Sequence, residues 1–262
     1  MKLLLAIAVV LLPFAARGSE LPDSALRQVQ FEQRLNAQVP MDAVFRDETG
    51  EAVKIGDYLG RKPIILVPGY YGCPMLCTLV SNGLVETLHE LKADAGAQFD
   101  ILAFSISPSE QPELAAAKKR EYVRHYGRTG TASGWHFLTG DEASIRQVAD
   151  TIGFHYAYDP AIKQYAHPSG FVVLTPEGRV SRYFFGVDFR ARELSDALHT
   201  ASANRAGSPI SQLFLLCFHY SPVTSQYGNL ILYSVRAIGM ATLLALGFFV
   251  ARSLRADRKL TP

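Results

Sequence analysis

The chain has 262 residues, and its 26 Lys and Arg nearly balance 24 Asp and Glu, for a net charge of +2. With no basic patch standing out, that balance argues against nucleic acid as a partner. Three cysteines are too few for a disulfide-stapled scaffold, so they are read as functional.

Both ends are apolar. Lys2 precedes an unbroken apolar run over 3–12, Pro13 breaks it, and Ala16 and Gly18 are spaced for cleavage before Ser19. Residues 1–18 are therefore read as a secretory signal peptide, the run being short for a bilayer span of about 20 residues. Residues 230–251 are long enough to form a transmembrane helix, with Arg236 near one end, where its side chain can snorkel to the headgroups. The tail, 252–262, carries Arg252, Arg255, Arg258 and Lys259 against Asp257, and positive flanks stay cytoplasmic. The expectation is a single-pass protein of the inner (plasma) membrane with its soluble body in the periplasm, where disulfides are permitted. The roughly 210 residues between the two ends suit one domain and a connector.

In chain order, residues 44–45 and 51–60 read as a short hairpin around Glu48, Thr49 and Gly50. Residues 62–72, "KPIILVPGYYG", are a buried strand. Residues 74–96 place Leu76, Val80, Leu84, Leu88 and Leu91 at helical spacing, with Gly96 at the end. A second buried strand follows over 98–107. Two helices come next, over 112–127 with Pro112 near its start and Gly127 at its end, and over 141–154 with Asp141 as cap. Residues 169–186 are two strands around a Pro-Glu-Gly turn, and 191–202 a last helix. This order is α/β, and ligand chemistry in open α/β sheets gathers at the carboxyl ends of strands.

Cys73 and Cys77 stand where the first buried strand meets its helix, three residues between them. Residues four apart share a helix face, and a helix N-terminus favours thiolates. The spacing is not the C-x-x-C usual in redox proteins, so catalyst, clip and metal grip all remain open. The placement is the thioredoxin-like pattern, by analogy of fold. In such a fold the loop before the late apolar strand faces the cysteine helix, and here that loop carries His167. Two thiolates and one imidazole form a soft, low-coordinate site suited to Cu(I), whereas zinc prefers a fourth ligand.

"GYYGCPMLC", His167 and "VVLTPEGRVSRYFFG" together resemble the Sco/SenC family over about 39–203. The resemblance implies a thioredoxin-like fold, copper bound by Cys73, Cys77 and His167, and a part in assembling the dinuclear copper site of cytochrome c oxidase. The partner it implies is the oxidase copper-site subunit or a periplasmic copper carrier. Where the family commonly has an Asp-Pro motif with a further Asp after its second buried strand, this chain has Ser107 and Glu110. Pro168 follows His167, near the cis-proline of thioredoxins, with either isomer open. Typical members are tethered at the N-terminus; this chain is read as anchored at the other end.

The connector, 204–229, contains Cys217 and His219. On an extended chain residues two apart face the same way, so the pair is a candidate second metal site. The competing reading is an interfacial aromatic belt of Phe214, Phe218, Tyr220 and Tyr227. Among the other histidines, His89 is read as solvent-facing, His125 as favouring a helix C-terminus, and His155 as a reserve ligand. The leading expectation is a copper metallochaperone that works by ligand exchange. The alternative is a thiol–disulfide oxidoreductase with Cys73 attacking and Cys77 resolving, acting on cysteines of the oxidase or of a copper carrier.

Overall fold

The computed structural model describes residues 29–73, 76–160, 162–207, 237–242, 244 and 246–248, with backbone alone at 76–78. Residues to Gly207 form one unit and those from Ser208 another. In the first unit the apolar runs become the strands β4 (Ile64–Gly69), β5 (Asp100–Ser105), β6 (Trp135–Leu138), β10 (Gly170–Leu174) and β11 (Val180–Phe185) of one five-stranded sheet. Its order is β11-β10-β4-β5-β6. β4, β5 and β6 run parallel, β10 is antiparallel to β4, and β11 to β10. This is the expected thioredoxin-like α/β arrangement.

Alternation along the strands divides the core into two layers. Ile65, Val67, Ile101, Ala103, Phe171 and Val173 face three helices, α1 (Leu76–Glu90), α2 (Pro112–Tyr126) and α4 (Ala191–Ser202). Ile64, Leu66, Leu102, Phe104, Val172 and Leu174 face α3 (Glu142–Thr151). Being buried on both faces, these strands have no polar side and read as continuous apolar runs.

Local signals set most helix ends. Asp141 caps α3 by accepting from the Ser144 N–H at 2.7 Å. Pro112 opens α2, and Gly127, at φ 68°, closes it in the left-handed conformation. The helix expected over 74–96 is shorter, because a distant residue ends it. Arg128 Nη2 donates to the carbonyls of Leu88, His89 and Leu91 at 3.1, 3.0 and 2.7 Å, and Nη1 to Ala93 O and to the Asp94 carboxylate. One guanidinium thus braces the carbonyls at the helix end, where intrahelical donors run out. On the same helix Gly83 lies so close to the loop after β11 that a Cβ would stand 1.9 Å from Val187 O.

A strand is expected beside His155 and Tyr156, and the structure places β7 (Phe154–His155) and β8 (Ala157–Asp159) there; their partners β1 (Gln30–Phe31) and β9 (Gln164–Ala166) were not expected from the sequence. β1 pairs with β7, and β8 with β9 just before His167. The hairpin of β2 (Val44–Arg46) and β3 (Ala52–Lys54) forms as expected. After β3, however, Ile55–Tyr58 is a 3-10 turn rather than strand, because the Asp57 carboxylate accepts from the Lys54 N–H at 2.7 Å.

In the second unit, residues 237–242, 244 and 246–248 are helical, and Ile238, Met240, Leu244, Leu246 and Phe248 are exposed. No described helix is long and apolar enough to cross a membrane. The remainder of 230–251, the signal peptide at 1–18, the Cys217–His219 pair and the basic tail lie outside the described residues.

Candidate metal centre

Cys73 lies just beyond the carboxyl end of β4, half-buried against the α3-side core, and its N–H donates to Tyr70 O at 3.3 Å. Cys77 is the second residue of α1; its side chain lies outside the described residues. His167 lies between β9 and β10 and is 8% exposed. Its ring meets Tyr70 edge-on, centroids 5.8 Å apart, and Phe154 at 5.8 Å. Tyr70 therefore touches both ends of the candidate donor set: its carbonyl holds the Cys73 amide, and its ring walls the imidazole.

The His167 Nδ1 lies 2.8 Å from Pro168 O. A carbonyl only accepts, so Nδ1 carries the proton and the lone pair of the neutral ring is on Nε2. No peptide bond among the described residues is cis, so His167–Pro168 is trans. Metal-bound histidines characteristically donate their other ring nitrogen to such a carbonyl.

The loop before Cys73 is held from β5. One Glu110 carboxylate oxygen accepts from Tyr71 N–H at 2.8 Å and the other from Gly72 N–H at 2.6 Å. The buried Ser105 hydroxyl donates to the same carboxylate at 2.6 Å. Tyr71 reaches inward, its hydroxyl donating to Leu138 O at 2.8 Å. Burial pushes its phenol well above the ordinary range, and the Glu110 charge adds to this. A groove runs from His167 past Tyr70 and Tyr71 to Tyr122 and Lys118.

The other histidines stand elsewhere. Phe154 faces His167, so its strand neighbour His155 points to the opposite side, where Glu32 and Asp150 lie 3.5 and 3.8 Å away. That removes His155 as the reserve ligand. His136 packs at a tilt against Tyr58, ring centroids 4.6 Å apart, and burial lowers its pKa. His89 is exposed, as expected, with Nε2 3.0 Å from Tyr126 O. His125, at the end of α2, lies 3.7 Å from Glu86. Among the described residues no three His, Cys, Asp or Glu side chains are grouped to hold a metal. The trio of Cys73, Cys77 and His167 includes a thiol beyond those residues. What is described of it suits a soft metal ion, with one thiol, one buried imidazole of fixed tautomer and a backbone tied down nearby. The sequence pointed to Cys73 and His167; the roles of Glu110 and Pro168 O were hidden because they act on or through backbone atoms.

The SCO1/SenC family model matches residues 32–202. The chain belongs to the SCO1/SenC family. Among solved structures, this SCO1/SenC chain is similar to a protein of Aquifex aeolicus VF5, 26% identical, with a TM-score of 0.58 over 68% of this chain and 98% of the other. Arabidopsis thaliana ScoI, solved with copper bound, is 18% identical, with a TM-score of 0.51 over 64% and 99%. BsSco, a member of the Sco family of cytochrome c oxidase assembly proteins in which a disulfide switch was identified, is 21% identical, with a TM-score of 0.51 over 66% and 99%. No curated protein matches.

Proposed function

We propose that this chain is a membrane-anchored copper metallochaperone that carries copper on Cys73, Cys77 and His167 and delivers it to the dinuclear copper site of cytochrome c oxidase. The observation that carries this reading is the placement of His167. It is buried beside Tyr70, whose carbonyl binds the Cys73 amide, and its Nδ1 is engaged by Pro168 O. A buried imidazole with one nitrogen tied down, close to the cysteine loop, is arranged as a ligand rather than as a proton shuttle. The bound copper of ScoI and the oxidase role of BsSco's family support the same reading.

Copper is the cargo. Two thiolates and an imidazole are fewer donors than most metal sites use, so donors of an acceptor protein can replace them one at a time. The acceptor is the copper-site subunit of the oxidase or a periplasmic copper carrier. The exposed apolar side chains at 238, 240, 244, 246 and 248 support an anchor over 230–251, and the basic tail supports a cytoplasmic C-terminus. With the signal peptide, that topology sets the domain in the periplasm. Cys217 and His219, ahead of the anchor, are proposed as a second copper site; unchanged copper content in Cys217→Ser rules it out.

A thiol–disulfide role at the same pair is the second reading, favoured by the half-exposed Cys73 at the mouth of α1. The two are separated with the purified full chain in detergent, reduced and titrated with Cu(I) against a competing chelator. Delivery requires tight Cu(I) binding that weakens in His167→Ala. Unchanged affinity in that variant, together with intact disulfide-reductase turnover, selects the redox reading.

A further inference from the structure

We infer that Glu110 is a positioning residue for the metal centre, fixing the backbone from which Cys73 projects. The inference rests on the copper-binding reading above and adds to it a residue that donates nothing to the metal.

Both oxygens of one carboxylate are committed to two successive backbone amides, Tyr71 N at 2.8 Å and Gly72 N at 2.6 Å, the two residues directly before Cys73. Ionised acceptors make the stronger class of hydrogen bond, and two from one rigid carboxylate fix the direction of the loop as well as its position. The carboxylate is itself anchored. Ser105, fully buried at the end of β5, donates to it at 2.6 Å, and the Ser105 hydroxyl also accepts from Ser107 N–H at 3.0 Å. β5 pairs with β4 as far as Gly69–Ser105, and Ile106 N–H donates to Gly69 O at 2.7 Å. The sheet is thus linked to the cysteine loop twice, once through the ladder and once through Glu110. Gly72 completes the fit: a Cβ there would lie 3.2 Å from the Glu110 oxygen, closer than ordinary contact.

A loose loop would not lower the number of donors. It would let the Cys73 thiol wander relative to a His167 ring that is held by Tyr70, Phe154 and Pro168, and the entropy of regathering them would fall on each binding event. Glu110 removes that cost before the metal arrives.

The test uses the full chain in detergent and Cu(I) alone, buffered by a competing chelator. Glu110→Gln leaves one of the two amides without an acceptor and is expected to weaken Cu(I) binding about tenfold, the effect of losing one charge-assisted bond. Ser105→Ala should weaken it less, in the same direction. Glu113→Gln, an exposed carboxylate on α2 that makes the same change in net charge, should leave it alone. Two further readouts separate positioning from general destabilisation. Hydrogen exchange at the Tyr71 and Gly72 amides should rise in Glu110→Gln without a matching rise in β4, and the ultraviolet thiolate-to-Cu(I) charge-transfer absorption should change in shape. Tight wild-type binding with equal affinity in Glu110→Gln overturns this inference and leaves the copper reading intact. Failure of the wild type to bind Cu(I) overturns both.

Discussion

The imidazole Nδ1 of His167 donates to the carbonyl of the very next residue, Pro168, at 2.8 Å. The tautomer of the ring is thereby set by a carbonyl one residue along the chain. A nitrogen-15 correlation spectrum of the reduced, metal-free protein should show His167 as the Nδ1–H tautomer, and Cu(I) should move the Nε2 resonance. A spectrum with the proton on Nε2 would contradict the assignment.

Arg128 closes α1 from outside the helix. Replacing it with Ala leaves the carbonyls of Leu88, His89 and Leu91 without their guanidinium partner, and the loss of charge-assisted bonds to a partly buried group is expected to cost about 2 kcal/mol or more. Chemical denaturation should show a lower midpoint at unchanged slope. Lys at this position, with a single point charge in place of a planar fork, should restore only part of the loss.

Gly83 is a packing glycine. Gly83→Ala drives a methyl group into the carbonyl of Val187, and a forced shift of α1 of this kind is expected to cost about 1–3 kcal/mol. Thermal unfolding measures it. Because α1 also carries Cys77, the variant should bind Cu(I) less tightly than its stability alone would suggest.

His136 makes the fold acid-sensitive. Burial lowers its pKa below the ordinary value of 6.5, so the folded state resists protonation while the unfolded chain accepts it. The stability this gives is fully present above about pH 6.5. It is lost as the pH falls from there through the depressed folded value. His136→Phe, which retains an aromatic ring for the contact with Tyr58, should flatten the stability profile over that interval and leave it unaltered at higher pH.

The exposed apolar side chains of the second unit lead to a fractionation experiment. A chain ending at Gly207 should appear in the soluble periplasmic fraction, while the full chain stays with the membrane through an alkaline carbonate wash. Release of the full chain by that wash would remove the anchor from the proposed function.

The buried strands and the helices could be read from the sequence because burial on both faces leaves an unmistakable apolar run, and one-sided burial leaves a 3.6-residue period. Cys73 and His167 were legible for a different reason, since few side chains offer soft donors at all. What remained hidden was set by partners far along the chain. The end of α1 depends on Arg128, 40 positions past Leu88, and no period in 74–96 records it. The β8–β9 hairpin is too short for alternation to register. Glu110 was visible as a departure from the family pattern, yet its contacts are to N–H groups, which every residue but proline has and no sequence displays.

Tyr70 and Phe154 wall the His167 ring, and a groove leads away from it past Tyr71 to Tyr122 and Lys118. An ion that enters and leaves along that groove has one route for both journeys. A supplier and an acceptor that use it must dock in turn, so transfer should follow ping-pong kinetics, and an excess of either one should slow the relay.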